Sequence, residues 1–190
     1  MARPISFDPD KAIEKALELF WKHGFHAVSV EDIVQATGLN RHSLYARFGS
    51  KFGLLTAALS HYRGVVLQHI REILEADGTN RDRIQRLLEV REPGHAETLW
   101  ERMLDRGCFA IRVSAELRDS HEELARELDA FGDTVETMVG RVIEAGQQQG
   151  EFRTDRTPQD LASVLVSGFL VPLIYTPTSP RTDAFLAVLD

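Results

Sequence analysis

The sequence predicts an all-α protein. An N-terminal three-helix bundle with a helix-turn-helix is joined by a long helix to a larger C-terminal helical domain, with about nine helices in all. Short amphipathic segments separated by glycines fill the first part, and one apolar face then recurs at helical spacing from Leu54 to Leu74. No stretch alternates apolar and polar residues for long enough to make a strand. We therefore predict two domains, residues 1–50 and 51–190.

Start and stop residues define the first two helices. Asp8 is a good N-cap, and the helix after it keeps apolar residues at helical spacing up to Gly24. Ser29, followed three residues later by Asp32, has the capping-box pattern of a second helix. Gly38 ends that helix, because glycine accepts the left-handed conformation common at helix ends.

The third helix completes a helix-turn-helix of the kind that docks on DNA. Asn40 is its expected cap, and Leu44 and Phe48, four residues apart, form its expected buried face. Tyr45 lies on the polar side, where a phenol can reach a phosphate. Arg41, in the first turn, can make a bidentate contact with guanine. The alternative is a buried helical hairpin with a solvated basic edge.

The charge distribution favours the DNA interpretation. The net charge of the whole chain is -7, which by itself argues against nucleic acid. Residues 1–63, however, carry eight Lys or Arg against six Asp or Glu, and residues 33–71 contain no acidic residue. A basic tip on an acidic body favours binding to double-stranded DNA that weakens steeply with salt.

The segment GFHAVSVEDIVQATGLNRHSLYARFGSKFGLL resembles the DNA-binding signature of the tetracycline-repressor (TetR) family of bacterial transcriptional regulators, without gaps from about Phe20 to Leu55. The chain departs from that family at Phe52, where members usually have an acidic residue, and at Gly53, which we expect to loosen the next helix. The resemblance implies phosphate contacts by Ser29, Ser43, Tyr45 and Lys51, base contacts by Arg41 and His42, and a place near the backbone for Arg47. We add the cap Asn40 to this DNA-binding set.

Two of these assignments also depend on the residues themselves. Lys51 follows the expected cap Ser50, so it lies at a helix N-terminus, where the dipole and free amides favour an anion. His42 has two interpretations, a base contact or a first-turn residue exposed to solvent without a contact.

The second half of the chain is predicted to be helical throughout. Asn80 begins a helix that runs to Val90, and Ser120 with Glu123 forms a capping box before a long helix that ends at Gly150. Further helical segments are expected at about 96–104, 107–117 and 184–189, and another begins at Thr157 and Pro158.

The segment DLASVLVSGFLVPLIYTP has a broad apolar stripe and almost no charge, so we expect two copies of the chain to meet there. The family resemblance also implies a homodimer. The expected interface residues are Leu161, Leu165, Phe169, Pro172 and Leu173. The alternative is an ordinary core helix of a monomer.

A site for a small-molecule effector is expected in the same C-terminal domain. Apolar residues on several helices are its candidate lining, namely Trp100, Met103, Phe109, Phe131, Met138 and Phe169, with Arg112 or Glu116 as polar groups. The same residues can instead be core, which helical spacing favours for any single aromatic residue.

Cys108 is a candidate sensor. It lies in DRGCFAIRVSAEL, which resembles a Gly-Cys segment of one branch of the family, including regulators that answer electrophiles or oxidants. Arg106 and Arg112 are near in sequence, and a cation beside the thiol can lower its pKa. Inert packing is the competing interpretation, since free cysteine is among the most buried residue types.

The sequence contains no catalytic constellation, no metal-ligand cluster and no cofactor motif, so we predict a protein that is not an enzyme and needs no cofactor. It has no apolar run that predicts a membrane span, and its single cysteine makes the cytoplasm the expected compartment. Together these observations predict a homodimeric repressor, released from a palindromic operator by a small molecule or by modification of Cys108. The alternative is an all-helical ligand-binding or enzymatic protein that has lost DNA binding, and activation in place of repression also stays open.

Overall fold

The computed structural model describes residues 8–89, 98–175 and 182–190, apart from the side chains of residues 100, 104, 105, 170–175, 182 and 183. The α-helices are α1 (Pro9–His23), α2 (Val30–Thr37), α3 (Arg41–Phe48), α4 (Lys51–Glu75), α5 (Asn80–Leu88), α6 (Leu99–Arg106), α7 (Phe109–Leu117), α8 (Glu122–Gln148), α9 (Pro158–Tyr175) and α10 (Thr182–Leu186), with a 3₁₀ turn at Arg118–Ser120. The predicted all-α class is confirmed, with ten α-helices and no strand in those ranges. Among the described helices, none combines the length and the apolar composition that a membrane span requires.

The chain divides into two compact units. The first unit holds the residues up to Gly64 together with Phe109–Ala125, and the second holds Val65–Cys108 together with the residues from Arg126 onward. The division passes through α4, and it assigns α7 to the same unit as α1, α2 and α3. The predicted boundary between domains after residue 50 stays a prediction.

The predicted starts and stops of the first three helices are confirmed. The carboxylate of Asp8 accepts from the amides of the first turn of α1, and Ser29 and Asp32 form a reciprocal capping box on α2. Gly38 ends α2 in the left-handed conformation, with φ 76°. Asn40 caps α3 by accepting from the amide of Ser43 at 2.8 Å. Local capping chemistry therefore fixes this part of the fold.

Three buried aromatic rings form the centre of the first unit. The ring centroids of Trp21 and Tyr62 are 5.4 Å apart, and Phe109 lies 5.9 Å from Trp21 and 5.6 Å from Tyr62. All three side chains are almost wholly buried. Because these rings come from α1, α4 and α7, they join α7 to the helical bundle by contacts between residues far apart in sequence.

The predicted capping box at Ser120 and Glu123 is wrong. A capping residue must be extended, but Ser120 is the last residue of the 3₁₀ turn. His121 takes the extended conformation instead, with φ −140° and ψ 87°, and its carbonyl accepts from the amide of Ala125 at 3.0 Å. Helix α8 therefore begins one residue after His121.

The bounds of α5 and α6 differ from the expected ones. Helix α5 ends at Leu88, and its predicted end, Val90, lies outside the described residues. Thr98 and Glu101 form a capping box that begins α6, while the predicted start near Ala96 also lies outside them.

A buried amide ties the start of α5 to the turn after α8 in the second unit. Asn80 is 3% exposed, and its Nδ2 donates to Oε1 of Glu151 at 2.8 Å and to Oε1 of Gln149 at 3.3 Å. The other oxygen of Glu151 accepts from the amide of Arg81 at 3.0 Å. These bonds satisfy a polar group inside the unit, as burial requires.

Candidate nucleic-acid interface

Helix α3 presents its charged residues on an open surface. Its one buried side chain is Leu44, which packs the helix into the first unit. Arg41, His42 and Arg47 are exposed, and Tyr45 is 44% exposed. A short capped helix with exposed side-chain donors in its first turn has the geometry of a helix that enters a DNA groove.

A carboxylate on α2 pairs with the first cation of α3. The guanidinium of Arg41 forms an ion pair with Glu31, and the two side chains are 60% and 63% exposed. An exposed pair of this kind adds little to stability, so a new partner can replace either member. Sequence reasoning missed the pair because Glu31 lies just before the acid-free stretch. For Arg41 to contact DNA, its guanidinium must therefore leave Glu31 and bind the DNA in its place.

The predicted contact residues at the two helix starts already act as caps. Ser29 Oγ accepts from the amide of Asp32 at 3.1 Å and donates to Asp32 Oδ2 at 2.6 Å. Hydrogen bonds from the side chain and backbone of Ser29 hold the pKa of Asp32 below its ordinary value of 3.8. Asn40 likewise caps α3, and Ser43, whose amide it accepts from, is half-buried. Ser29 and Asn40 thus fix the two helices whether or not they also touch DNA.

Lys51, the first residue of α4, braces the loop between α1 and α2. Its Nζ donates to the carbonyl of Val28 at 2.6 Å and lies 4.3 Å from the centroid of the Phe25 ring. Partial burial lowers the pKa of Lys51, against the opposing effect of Asp32 and Glu116. An ammonium has three donors, so a phosphate contact by Lys51 must use those that Val28 leaves free.

The two departures from the family pattern have packing roles. Phe52 stacks on His121 with centroids 4.2 Å apart and rings 20° from parallel, and it meets the ring of Phe25 edge-on at 6.2 Å. A Cβ on Gly53 would lie 1.9 Å from the carbonyl oxygen of Phe48. Gly53 therefore allows a close approach between α4 and the end of α3, and the expected loosening of the helix stays a prediction.

Two family descriptions match this chain. "Bacterial regulatory proteins, tetR family" matches residues 12–58, and "Tetracyclin repressor-like, C-terminal domain" matches residues 81–174. The chain belongs to the TetR family of transcriptional regulators. The first match includes all of α2 and α3, so the open surface of α3 lies within the TetR N-terminal region.

Known TetR relatives cover different parts of the chain. The HTH-type transcriptional repressor ComR of Escherichia coli (strain K12) is 50% identical over 60 residues, which is 32% of this chain and 29% of ComR. The matched segment spans less than two fifths of the first two curated relatives. A cysteine mutant of the TetR family transcriptional regulator CifR, solved with 26-bp double-strand operator DNA, is 25% identical, with a TM-score of 0.77 over 99% of this chain and 96% of that one. Reduced E. coli NemR shares the fold, with a TM-score of 0.79, 19% identity, and 96% and 94% of the two chains covered.

The residues predicted to line a TetR effector site are divided between the two units. Phe109 is in the aromatic core of the first unit, where Arg112 Nε also lies 3.6 Å from Glu116 Oε1. The side chain of Trp100 lies outside the described residues. Four further predicted residues are buried in the second unit, namely Met103, Cys108, Phe131 and Phe169, and Met138 is half-buried there. Their assignment to an effector site stays a prediction.

The second unit carries a groove that sequence reasoning did not locate. It has a volume of about 450 Å³ and opens to solvent between residues of α4 and α8. Its lining consists of Arg71, Leu74, Glu75, Asp133, Thr134, Thr137, Met138, Arg141 and Val142. Of the predicted effector residues with described side chains, Met138 borders this groove. A lining that combines apolar side chains with charges of both signs suits an amphipathic ligand.

The predicted dimer residues of α9 with described side chains are all buried. Leu161, Leu165 and Phe169 are buried within the chain itself, and the side chains of Pro172 and Leu173 lie outside the described residues. Val164, on the same helix, is 52% exposed. An exposed apolar residue on this helix is available to a partner, whereas the three buried ones are already in contact with their own chain.

Proposed function

We propose that this TetR-family protein is a homodimeric repressor that binds a palindromic operator through α3 and leaves it when a small effector binds or Cys108 is modified. Its role is regulatory and not catalytic, and it acts in the cytoplasm, where bacterial DNA lies. The observation that carries this proposal is the open surface of α3, with Arg41, His42, Tyr45 and Arg47 exposed on a helix capped at its start. The operator-bound structure of its relative CifR also supports it.

Each exposed group of α3 has a chemical role in this proposal. Arg41 releases Glu31 and donates two hydrogen bonds to a guanine, a contact that discriminates by about 1–3 kcal/mol. The phenol of Tyr45 and the guanidinium of Arg47 bind phosphates and set the register of the helix in the groove. His42 lies beside Arg41 and meets the neighbouring base edge. Lys51 adds a positive charge at the start of α4.

The second copy of the chain meets the first through the exposed side of α9. Asp160, Val164 and Ser167 are exposed and recur at helical spacing, so they lie along one face of the helix. This face, and not the buried Leu161 and Leu165, is the one we propose for the dimer. The helix-turn-helix segments of two copies related by a twofold axis then bind two half-sites, which lie about one turn of the DNA helix, or a multiple of it, apart.

A small molecule is the effector that the side chains favour over chemistry at a thiol. Cys108 is 7% exposed, and a buried thiol reacts only when its surroundings open. The groove beside Met138 is open and combines apolar and charged groups. A ligand that prefers the conformer with weaker DNA affinity releases the operator in proportion to that preference. Alkylation that leaves Cys108 unreacted, with normal release by Cys108→Ser, will assign release to the small molecule alone.

The test is selection of duplexes from a random library with the full-length protein, followed by anisotropy titration. We expect enrichment of a palindrome, and binding at least about a thousandfold tighter than to unrelated duplex at the same salt. A library that yields no enriched sequence would support the alternative, an all-helical protein that has lost DNA binding.

A further inference from the structure

We propose that Glu116, on α7, is a positioning residue for the DNA-binding surface. The inference rests on the proposed function and extends it to a residue far from the helix-turn-helix in sequence. The segment Gly24–Val28, here called the head loop, joins α1 to α2, and Glu116 holds it in place. Glu116 therefore affects operator binding without being one of the residues that contact DNA.

The carboxylate of Glu116 binds the backbone of the head loop. Oε2 accepts from the amide of Phe25 at 2.7 Å and lies 3.4 Å from the amide of His26, residues 91 and 90 positions away in the sequence. Two backbone amides on one carboxylate oxygen form a charge-assisted contact, stronger than a bond between neutral groups. The bond therefore fixes the first residues of the head loop to α7.

The loop backbone is shaped to receive this carboxylate. Gly24 has φ +84°, and a Cβ at that position would lie 2.4 Å from Glu116 Oε1. Any other residue would both strain the backbone and displace the carboxylate. Gly24 thus serves the end of α1 and the contact with Glu116 together.

A second anchor holds the other end of the head loop. Lys51 donates to the carbonyl of Val28, the residue directly before the cap of α2, and its ammonium lies over the ring of Phe25. The carboxylate of Glu116 thus holds the amides at the start of the loop, and the ammonium of Lys51 holds the carbonyl at its end. Between them they fix where α2 begins, and α2 in turn packs on α3.

The segment after α7 meets the start of α4 as well. His121 stacks on Phe52, the neighbour of Lys51 in the chain. Residues 109–121 thus contact the head loop through Glu116 and the first turn of α4 through His121. A movement of α7 therefore acts on the part of the protein that places α3, and the bond to Glu116 is its direct connection to the head loop.

The loss of the charge of Glu116 and the loss of its positioning role predict opposite changes in DNA affinity. A negative charge repels phosphates, so removal of a carboxylate from the unit that carries α3 by itself strengthens DNA binding. Loss of an anchor instead lets the head loop and α2 shift, and a small misplacement of the reading helix weakens binding and relaxes sequence discrimination. The sign of the change in DNA affinity therefore distinguishes a positioning role of Glu116 from a pure charge effect.

The experiment compares Glu116→Ala and Glu116→Gln with the matched control Glu123→Gln. Glu123 is exposed, lies in the same unit and carries the same charge. The probe is the palindrome selected by the wild-type protein, titrated at a temperature at which all variants are folded by circular dichroism. We expect Glu116→Ala to bind it about tenfold more weakly and Glu116→Gln to fall between, because an amide oxygen still accepts one bond. Glu123→Gln should bind as tightly as wild type or more tightly.

Hydrogen exchange of the DNA-free protein provides a second measurement that does not depend on folding as a whole. The amides of Phe25 and His26 should exchange about tenfold faster in Glu116→Ala, with the amides of the α1 core unchanged. Glu116 variants that bind the palindrome as tightly as Glu123→Gln, or unchanged exchange at Phe25, would overturn the inference. A wild-type protein that selects no duplex contradicts the proposed function instead, so the two failures are distinct.

Discussion

Two short helices of the first unit, α3 and α7, use their side chains in opposite ways. Helix α3 buries one residue and leaves its cations and its tyrosine open to solvent. Helix α7 buries four residues, and its Glu116 carboxylate accepts a hydrogen bond from the backbone of the head loop. The comparison shows that the helix suited to a partner contributes little to its own placement. The carboxylate that holds the head loop before α2 comes from a helix much later in the chain.

Truncation of the buried ring of α7 should have the largest effect. Phe109→Ala removes one ring of the aromatic centre and should lower the free energy of unfolding by about 3–5 kcal/mol. Its counterpart on α3, Tyr45→Ala, should change stability by no more than about 0.5 kcal/mol while weakening DNA binding. Urea unfolding followed by circular dichroism measures both, and similar losses in the two variants would contradict the comparison.

Loss of the first cation of α3 should act on recognition and leave folding intact. Arg41→Ala should weaken binding to the selected operator by about 1–3 kcal/mol, and binding to unrelated duplex far less. The matched variant Glu31→Gln removes the competing carboxylate and should bind DNA as well as wild type or better. Equal losses on operator and unrelated duplex would make Arg41 a phosphate contact and not a base reader.

Substitution of two glycines of α4 by alanine should change the stability of the protein in opposite directions. Gly53→Ala places a methyl group against the carbonyl of Phe48 and should destabilise the fold by about 1–3 kcal/mol. Gly64→Ala meets no atom within 4 Å and should stabilise the helix by about 0.5–1 kcal/mol. Thermal unfolding of the two variants tests this, and a harmless Gly53→Ala would mean that the joint between α3 and α4 is not tightly packed.

The capping carboxylates of α2 and α5 should show the same pH dependence, and their contribution to the free energy of unfolding should be the smallest of these effects. Thr79 and Asp82 form a reciprocal capping box on α5, as Ser29 and Asp32 do on α2. Hydrogen bonds to Ser29 and Thr79 lower the pKa values of Asp32 and Asp82 below 3.8. A carboxylate with a depressed folded pKa contributes stability that is present above the unfolded value and lost as pH falls through the folded one. Asp32→Asn and Asp82→Asn should therefore be less stable than wild type near neutral pH and lose that difference in acid below pH 3.8. A difference that persists in strong acid would rule out the ionised cap as its source.

Local rules predicted the first fifty residues well and long-range contacts hardly at all. The caps Asp8, Ser29 and Asn40 were confirmed because each bonds to an amide within three residues of itself. The carboxylate of Glu116 binds an amide 91 positions away, and no spacing or propensity indicates such a pair. We expected Glu116 beside an effector, since an acidic residue on an apolar helix looks like a polar group in a pocket.

The other predictions that were wrong, and the contacts that were missed, also depend on structure that local sequence patterns do not specify. The Ser120 pattern matched a capping box in sequence, but the chain turned through a 3₁₀ segment and left His121 extended instead. The pair of Arg41 and Glu31 joins two helices across a turn, and the buried amide of Asn80 donates to Glu151 in the turn after α8. Periodicity predicts which residues a helix buries, but it does not say which partner they meet.

The most direct test of α3 as the DNA-reading surface is the salt dependence of operator binding in wild type and Arg47→Ala. We expect the logarithm of the association constant to fall linearly with the logarithm of salt concentration, with about 0.9 of slope per phosphate contact. Arg47→Ala should reduce that slope by about one unit while retaining the preference for the selected palindrome. An affinity that does not change with salt, or an identical slope in the two proteins, would contradict the account.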